Sequence, residues 1–536
     1  MLMVVCGLIQ SSCPNSKRGP RYQVVRAQVL LSNRVRISDL MLPLSWPMFC
    51  GMSFLKECAG LGLLAVFTLG CHFVEAGDLL PHTSITSADF VRVSSRDPRY
   101  FELSDGRPYI PIGLNMIAPP GNEGLPGLEA WLERLQAKGG NYIRLWLSNP
   151  FFDVEHVRCG EYDEAKAKQI EAMLAIAARH GIRVKMCLEH FRHLGDGRQA
   201  WAAKPLHLVA NGGTATNISD FFNGTASREQ FKKKLAWFAQ RFGDNPTVFG
   251  WELWNEINAV QGGDYLGWTE IMLPELHRLF PRNLAMQSLG SYDGEYVRGP
   301  YRRLATMPGN DVAQVHRYLD LGAKFEICHG PMDLLAADAV RDLLSQQPGR
   351  PVLLAESGAV EPSHSGPFKL YNQDTNGVLL HDVLFAPFFA GAAGPGHIWH
   401  WDYYVAGQDL WWHFGRFAEV VKDLDPPAEQ FQPDLLPHSR LRAYVLKGQH
   451  TVLLWCRDAQ NTWQSELAEG KAPDPVDDAF LDLGPLELGK TSARLYDPWE
   501  NRWTKAGLER DRLRLPAFKR SLVVRLTLEM KEPARR

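Results

Sequence analysis

Residues 247–258 read TVFGWELWNEIN. An apolar, aromatic run stops abruptly at Asn255-Glu256, and a carboxylate ending a buried strand is costly unless it is paired or used. Runs of the same kind recur along the chain. YIPIGLNM (109–116), NYIRLWLS (141–148) and GIRVKMCLEHF (181–191) come before it. LAMQSLG (284–290), DVAQVHRY (311–318), PVLLAESG (351–358) and GHIWHWDYY (396–404) come after. Most are separated by amphipathic helical stretches such as LEAWLERLQAKG (128–139), AKAKQIEAMLAIAARHG (165–181) and REQFKKKLAWFAQRFG (228–243), with glycine as the stop signal. Eight apolar strands with helical crossovers predict an α/β fold, a (β/α)8 TIM barrel. The competing fold, a doubly wound open sheet, often carries a glycine-rich phosphate loop after its first strand, and YIPIGLNMIAPPGNEG is not GxGxxG.

Before the first run, FVRVSSRDPRYFELSDGRPYIPIG reads as short strands around an Asp105-Gly106 turn, a hairpin closing the barrel floor. The barrel with this hairpin is assigned to residues 88–425. The Pro-rich stretch DPPAEQFQPDLLPHS marks a linker at 426–439. Beyond it, LRAYVLKG, HTVLLWCRDA, AFLDLG, SARLYDPW and SLVVRLTLEM alternate with turns and predict a C-terminal antiparallel β-sandwich over 440–530.

Residues 1–76 differ from the rest. They hold five of the nine cysteines, and MSFLKECAGLGLLAVFTLGCHFVEAG (52–77) has the charged start, apolar centre and small-residue end of a signal peptide. The expectation is a secreted, periplasmic or cell-surface protein cleaved after Ala76, with a true start at Met48 or Met52. Lipid attachment at Cys71, and with it membrane anchoring, is the alternative. Cys159, Cys187, Cys328 and Cys456 remain, with no metal-type spacing.

The chain has 536 residues, 45% hydrophobic and 22% charged, with a formal net charge of -2 and no long basic run, which speaks against a nucleic-acid partner. Its 16 Trp, 15 Tyr and 26 Phe serve either a large core or stacking platforms for a flat ligand face such as a sugar ring. A monomer is expected.

Barrel chemistry sits at the C-terminal strand ends. Those ends hold Asn115, Arg144, His190, Asn255-Glu256, His316 with Tyr318, Glu356, and Trp399 with Trp401. Glu256 ends the fourth run and Glu356 the seventh, so the two face each other across the mouth. Paired carboxylates of this kind suit glycosidic bond cleavage: one protonated to serve the leaving oxygen, one ionised to attack or to activate water. Glu256 is expected to carry the raised pKa and Glu356 to be held ionised by Arg144 and Tyr318. Arg144, at a strand mouth, is expected to matter more to activity than to folding. The competing reading makes both glutamates ion-pair partners of Arg144. Trp399 and Trp401, two apart on a regular strand, would share a face, with Trp401 the nearer to a bound sugar. HFRH (190–193) lacks a third ligand, so neither a metal nor a cofactor is expected.

The motifs WELWNE, HRY, LLAESG and GHIWHWDY resemble the strand-end motifs of retaining glycoside hydrolases of clan A, nearest to glycoside hydrolase family 5 and its mannanase-like and cellulase-like members. The resemblance runs over about residues 90–420; CLEHF departs from the usual third-strand wording. It implies Glu256 as acid/base and Glu356 as nucleophile, Asn255 on the sugar 2-hydroxyl, Tyr318 on the nucleophile, and Arg144 and His190 lining the same subsite. It implies an oligo- or polysaccharide substrate. A function of another class, non-catalytic carbohydrate binding on a degenerate barrel, stays open at this point.

Overall fold

The computed structural model describes residues 85–86, 89–190, 206–260 and 262–529. The signal-type segment 52–77 with Cys71, residues 191–193 of HFRH and the tail beyond 529 lie outside the described residues. The described residues, all of them within Ala76–Arg536, belong to one compact unit.

Seven of the eight predicted runs are strands: β1 (Gly113–Asn115), β2 (Tyr142–Trp146), β3 (Arg183–Glu189), β4 (Val248–Trp254), β5 (Leu284–Met286), β6 (Ala313–Leu319) and β7 (Val352–Ala359). β1 to β5 form a parallel sheet in chain order, and β6 pairs in parallel with β7. These strands are buried on both faces, which explains their near-continuous apolar sequence. Gly113 opens β1 because a Cβ there would collide with the Tyr142 carbonyl oxygen on β2.

Side chains complete the circuit where ladders stop. Between β5 and β6, the Ala285 N–H donates to Asp311 Oδ2 (2.7 Å) and the Asp311 N–H to the Ala285 carbonyl (2.9 Å). The eighth run departs from expectation: it is not a regular strand. Only Ile398 bridges β7, at Ser357, while its carbonyl accepts from the Asn115 N–H of β1 at 3.0 Å. The Trp401 N–H then folds back onto the Trp399 carbonyl (2.8 Å), which breaks the extended backbone before a π-type turn, Trp401–Ala406. The segment thus fills the eighth position with hydrogen bonds on both sides.

The helices between strands include α1 (Gly124–Gln136), α2 (Glu164–Arg179), α3 (Thr225–Phe242), α4 (Tyr265–Leu279), α5 (Arg298–Ala305), α6 (Met332–Leu344) and α7 (Val378–Phe389). Asp163 caps α2 by accepting from the Ala165 and Lys166 N–H groups. At the N-terminal end of the ring, three short antiparallel strands (Val91–Val93, Phe101–Leu103, Pro108–Tyr109) carry Phe101 and Tyr109 against Phe249 at 5.3 and 6.1 Å.

The C-terminal part holds a six-stranded antiparallel sheet and a three-stranded one, packed over a shared apolar cluster that includes Val445, Leu454, Leu481, Leu513 and Val524. The linker expected at 426–439 is structured. Pro426–Glu429 is a helical turn, and Gln432–Leu436 is the edge strand paired with Leu441–Lys447. An edge position tolerates Pro433 because one side of such a strand needs no ladder donor. The other face of the sheet joins the main core through Tyr444, Leu446, Leu453, Trp455 and Val523. Two ion pairs cross this junction: Arg457 with Asp382 (2.8 and 3.2 Å), both buried, and half-buried Arg442 with buried Asp333 (2.5 and 2.8 Å), the latter carboxylate also taking the Tyr444 hydroxyl at 2.8 Å. Asp333→Ala would strand a charged guanidinium at the junction, and a loss of about 3–5 kcal/mol in denaturant unfolding is expected. A loss below about 1 kcal/mol would show that the junction does not depend on this pair.

Candidate active site

Two layers of charge occupy the C-terminal mouth of the ring, and Arg144 spans both. Below, Arg144 grips Glu252 of β4 with Nε at 2.8 Å and Nη2 at 2.9 Å, while Lys185 of β3 stands 3.4 Å from the same carboxylate and donates to Gln314. Above, Arg144 Nη1 donates to Glu356 Oε2 at 2.5 Å and Nη2 to Asn255 Oδ1 at 2.5 Å. Burial opposes ionisation of Glu252, but Arg144 and Lys185 outweigh it and hold its pKa below the ordinary value. Burial lowers Lys185 to about 8, with Glu252 pulling the other way.

Glu256 follows β4 in a left-handed conformation (φ 49°, ψ 52°), sparsely populated for a residue with a side chain. The Ser288 hydroxyl accepts its N–H at 3.1 Å, which helps hold the turn. The turn sends the carboxyl to His316 Nδ1 at 2.9 Å. Glu356, on β7, takes the Tyr318 hydroxyl at 2.6 Å opposite its Arg144 contact. One carboxylate oxygen from each glutamate and one His316 ring nitrogen lie within 4.8 Å of one another.

The electrostatics separate the two acids. Burial raises Glu256 well above the ordinary carboxylate value, and the charge of Glu356 raises it further. Burial raises Glu356 too, against the pull of Arg144, the Tyr318 hydrogen bond and the Arg144 hydrogen bond. Three carboxylates share the site with two cations, so one proton restores balance, and it belongs on Glu256. Arg144 and Tyr318 thus limit the rise at Glu356, while Glu256 is raised well above the ordinary value. Burial, with Arg144 and Lys185 behind it, keeps His316 neutral.

Other expectations change. Arg144 is fully buried and serves as a keystone, so its loss bears on folding as much as on activity. Asn115 is not placed as a sugar contact. Its amide nitrogen donates to the Ala355 and His397 carbonyls (3.1 and 3.0 Å), and its oxygen accepts from Arg144 (3.3 Å), so the whole amide is engaged within the wall. His190 is buried against Ser148 and stacks on Trp146 at 4.6 Å. Trp399 and Trp401 are not alternate residues of a regular strand, because the backbone bends between them, and their rings meet edge-on at 5.4 Å and 81°. Trp401 is only 9% exposed, whereas Trp399 is partly open and 5.1 Å from Trp146, making Trp399 the ring offered to the cleft.

The sequence reading missed Glu252, Lys185, Ser288 and Trp146. For the first two a signal existed: charged residues inside runs otherwise fully apolar must find each other.

The model of the cellulase family (glycosyl hydrolase family 5) matches residues 119–380, which span β2 to β7. Mannan endo-1,4-beta-mannosidase 3 of Oryza sativa subsp. japonica is 30% identical over 357 residues, covering 61% of this chain and 72% of that protein. Mannan endo-1,4-beta-mannosidase 4 of the same plant is 27% identical over 219 residues, 37% of this chain and 46% of that protein. Among solved structures, a glycoside hydrolase family 5 protein from Bacteroides vulgatus aligns with a TM-score of 0.54 at 14% identity, over 83% of this chain and 94% of its own, a likeness that bears on the fold alone. With one relative matched over most of its length and two glutamates paired at the mouth of the ring, the chain belongs to glycosyl hydrolase family 5 and is a glycoside hydrolase.

Proposed function

We propose that the protein is a retaining β-glycoside hydrolase of β-1,4-linked mannan-type saccharides, with Glu256 as acid/base and Glu356 as nucleophile. The observation that carries this is the closeness of the two carboxylates, with oxygens within 4.8 Å. Retaining pairs stand about 5–5.5 Å apart, whereas inverting pairs leave about 6.5–9.5 Å for a water. The substrate class follows the rice relatives, named as mannan endo-1,4-beta-mannosidases.

In the first step protonated Glu256 gives its proton to the leaving oxygen while Glu356 attacks the anomeric carbon. Arg144 and Tyr318 hold Glu356 in line. Glu256, then ionised, takes a proton from water, which attacks the same carbon and frees Glu356. Asn255, held by Arg144, sits beside the glutamates for a sugar hydroxyl, and Trp399 offers a ring face to the sugar C–H surface. The signal-type segment 52–77 supports an exported enzyme.

The test is a panel of mannan, glucan, xylan and galactan oligosaccharides with product sizing. Mannan oligosaccharides are expected to be cleaved fastest. Binding to mannan without cleavage would instead favour the carbohydrate-binding reading.

Glu256→Gln is expected to lower kcat about 10²–10⁴-fold, the usual share of general acid–base catalysis. It should also change the pH dependence of stability. Because the Glu256 pKa is raised in the folded state, its contribution is full below the ordinary carboxylate value and is lost as pH rises towards the folded value. The variant should therefore gain stability on wild type as pH rises from about 4.5 to 8, read by denaturant unfolding. A gap that does not change with pH would contradict a protonated Glu256.

A further inference from the structure

The loops after β5, β6 and β7 build a polar wall at the mouth of the ring. The Ser291 hydroxyl lies 3.1 Å from His364 Nε2, and His364 Nδ1 lies 2.9 Å from Asp320 Oδ2. Asp320 is 2% exposed and its other oxygen accepts the N–H groups of Gly322 (2.7 Å) and Ser363 (2.8 Å), so the carboxylate is fixed from several sides. Ser363 and His364 both adopt positive φ (60° and 55°), a conformation uncommon for residues with side chains. The imidazole remains 38% exposed and sits edge-on to Tyr318 at 5.0 Å.

We propose that Ser291 and His364, oriented by Asp320, form a leaving-group subsite that holds a sugar hydroxyl. The proposal rests on the glycosidase reading above. The acid must face the leaving oxygen, and this wall adjoins the acid: a Cβ on Gly290, the residue before Ser291, would stand 3.5 Å from Glu256 Cδ. With Nδ1–H given to Asp320, Nε2 is an acceptor and the Ser291 hydroxyl can turn between His364 and a ligand, so the pair presents one donor and one acceptor to a hydroxyl. The exposed Tyr296, tied to Asp293 at 2.7 Å, continues the wall outward.

The experiment compares Ser291→Ala and His364→Asn with wild type on two substrates. One is a β-1,4-manno-oligosaccharide, whose leaving group is a sugar. The other is an aryl β-mannoside, whose leaving group is a phenol without sugar hydroxyls. Asparagine is chosen at 364 because it accepts positive φ. Each variant is expected to lose about tenfold in kcat/KM on the oligosaccharide and to stay within about twofold on the aryl glycoside. Equal losses on both substrates would overturn the subsite, since a tie acting through Tyr318 and Glu356 would affect any leaving group. No loss on either would overturn it as well. Covalent labelling of Ser291 by a fluorophosphonate would point to an acyl-transfer centre instead. Wild-type inactivity on both substrates would remove the glycosidase reading and the subsite with it.

Discussion

Glu356→Ala is expected to lower turnover about 10⁵-fold, the scale seen when the nucleophile of a cooperating catalytic unit is removed. The fold should survive, because Arg144 keeps both its bonds to Glu252 when Glu356 is gone. The truncated side chain leaves space on the nucleophile's side of the sugar, with Arg144 and Tyr318 still lining it. Azide can enter there, attack the anomeric carbon and give a glycosyl azide of inverted configuration. Azide supplied to Glu256→Ala should act differently. That variant can still form the glycosyl-enzyme from an activated aryl glycoside, so azide attacks from the opposite face and the product keeps the β configuration. The two azide products, separated by NMR, assign the glutamates individually. Identical azide stereochemistry from both variants would undo the assignment, and so would ordinary activity in Glu356→Ala.

Arg144→Ala should show the second large effect. Arg144 is fully buried and makes close contacts with Glu252, Glu356 and Asn255. Its loss leaves Glu252 with Lys185 as its remaining cation, at 3.4 Å, and Glu356 without its cation. A destabilisation of about 3–5 kcal/mol at neutral pH is expected, as for other broken buried pairs, together with loss of turnover. The pH dependence identifies the cause. The Glu252 pKa is depressed in the folded wild type, so its contribution is present above the ordinary carboxylate value and is lost as pH falls through the folded value. The stability gap between variant and wild type should therefore be widest near pH 7 and narrow towards pH 4. Arg144→Lys, which keeps the charge but loses the fork, should recover part of the stability. An Arg144→Ala protein as stable as wild type would return Arg144 to the role of a simple subsite residue.

The sequence was most legible where burial and period acted together. Seven of eight apolar runs are strands; Glu256 stands just past the end of β4, as expected, whereas Glu356 lies inside β7, with Ser357–Ala359 still paired to β6 beyond it. It was least legible where tertiary partners override local pattern. The run at 396–404 has the composition of a strand, yet the Trp401-to-Trp399 backbone bond bends it. The proline-rich stretch at 426–439 has the composition of a linker, yet the strand Leu441–Lys447 supplies it with a pairing edge. Glu252 and Lys185 lie inside their strands, where a pattern of strand-end residues does not mark them. Strand register sets Arg144 opposite Lys185, and Cys187, two residues on, opposite Glu252. The Ser291–His364–Asp320 chain had no sequence signature, since its members come from three separate loops.

The central claim is double displacement by Glu256 and Glu356, and the configuration of the first-formed product tests it most directly. Proton NMR of the anomeric signal during the first minutes of oligosaccharide cleavage, before mutarotation, should show the β anomer appearing first, with the α anomer growing in later. Initial appearance of the α anomer would mean a single displacement by water, and Glu356 would then be a general base rather than a nucleophile.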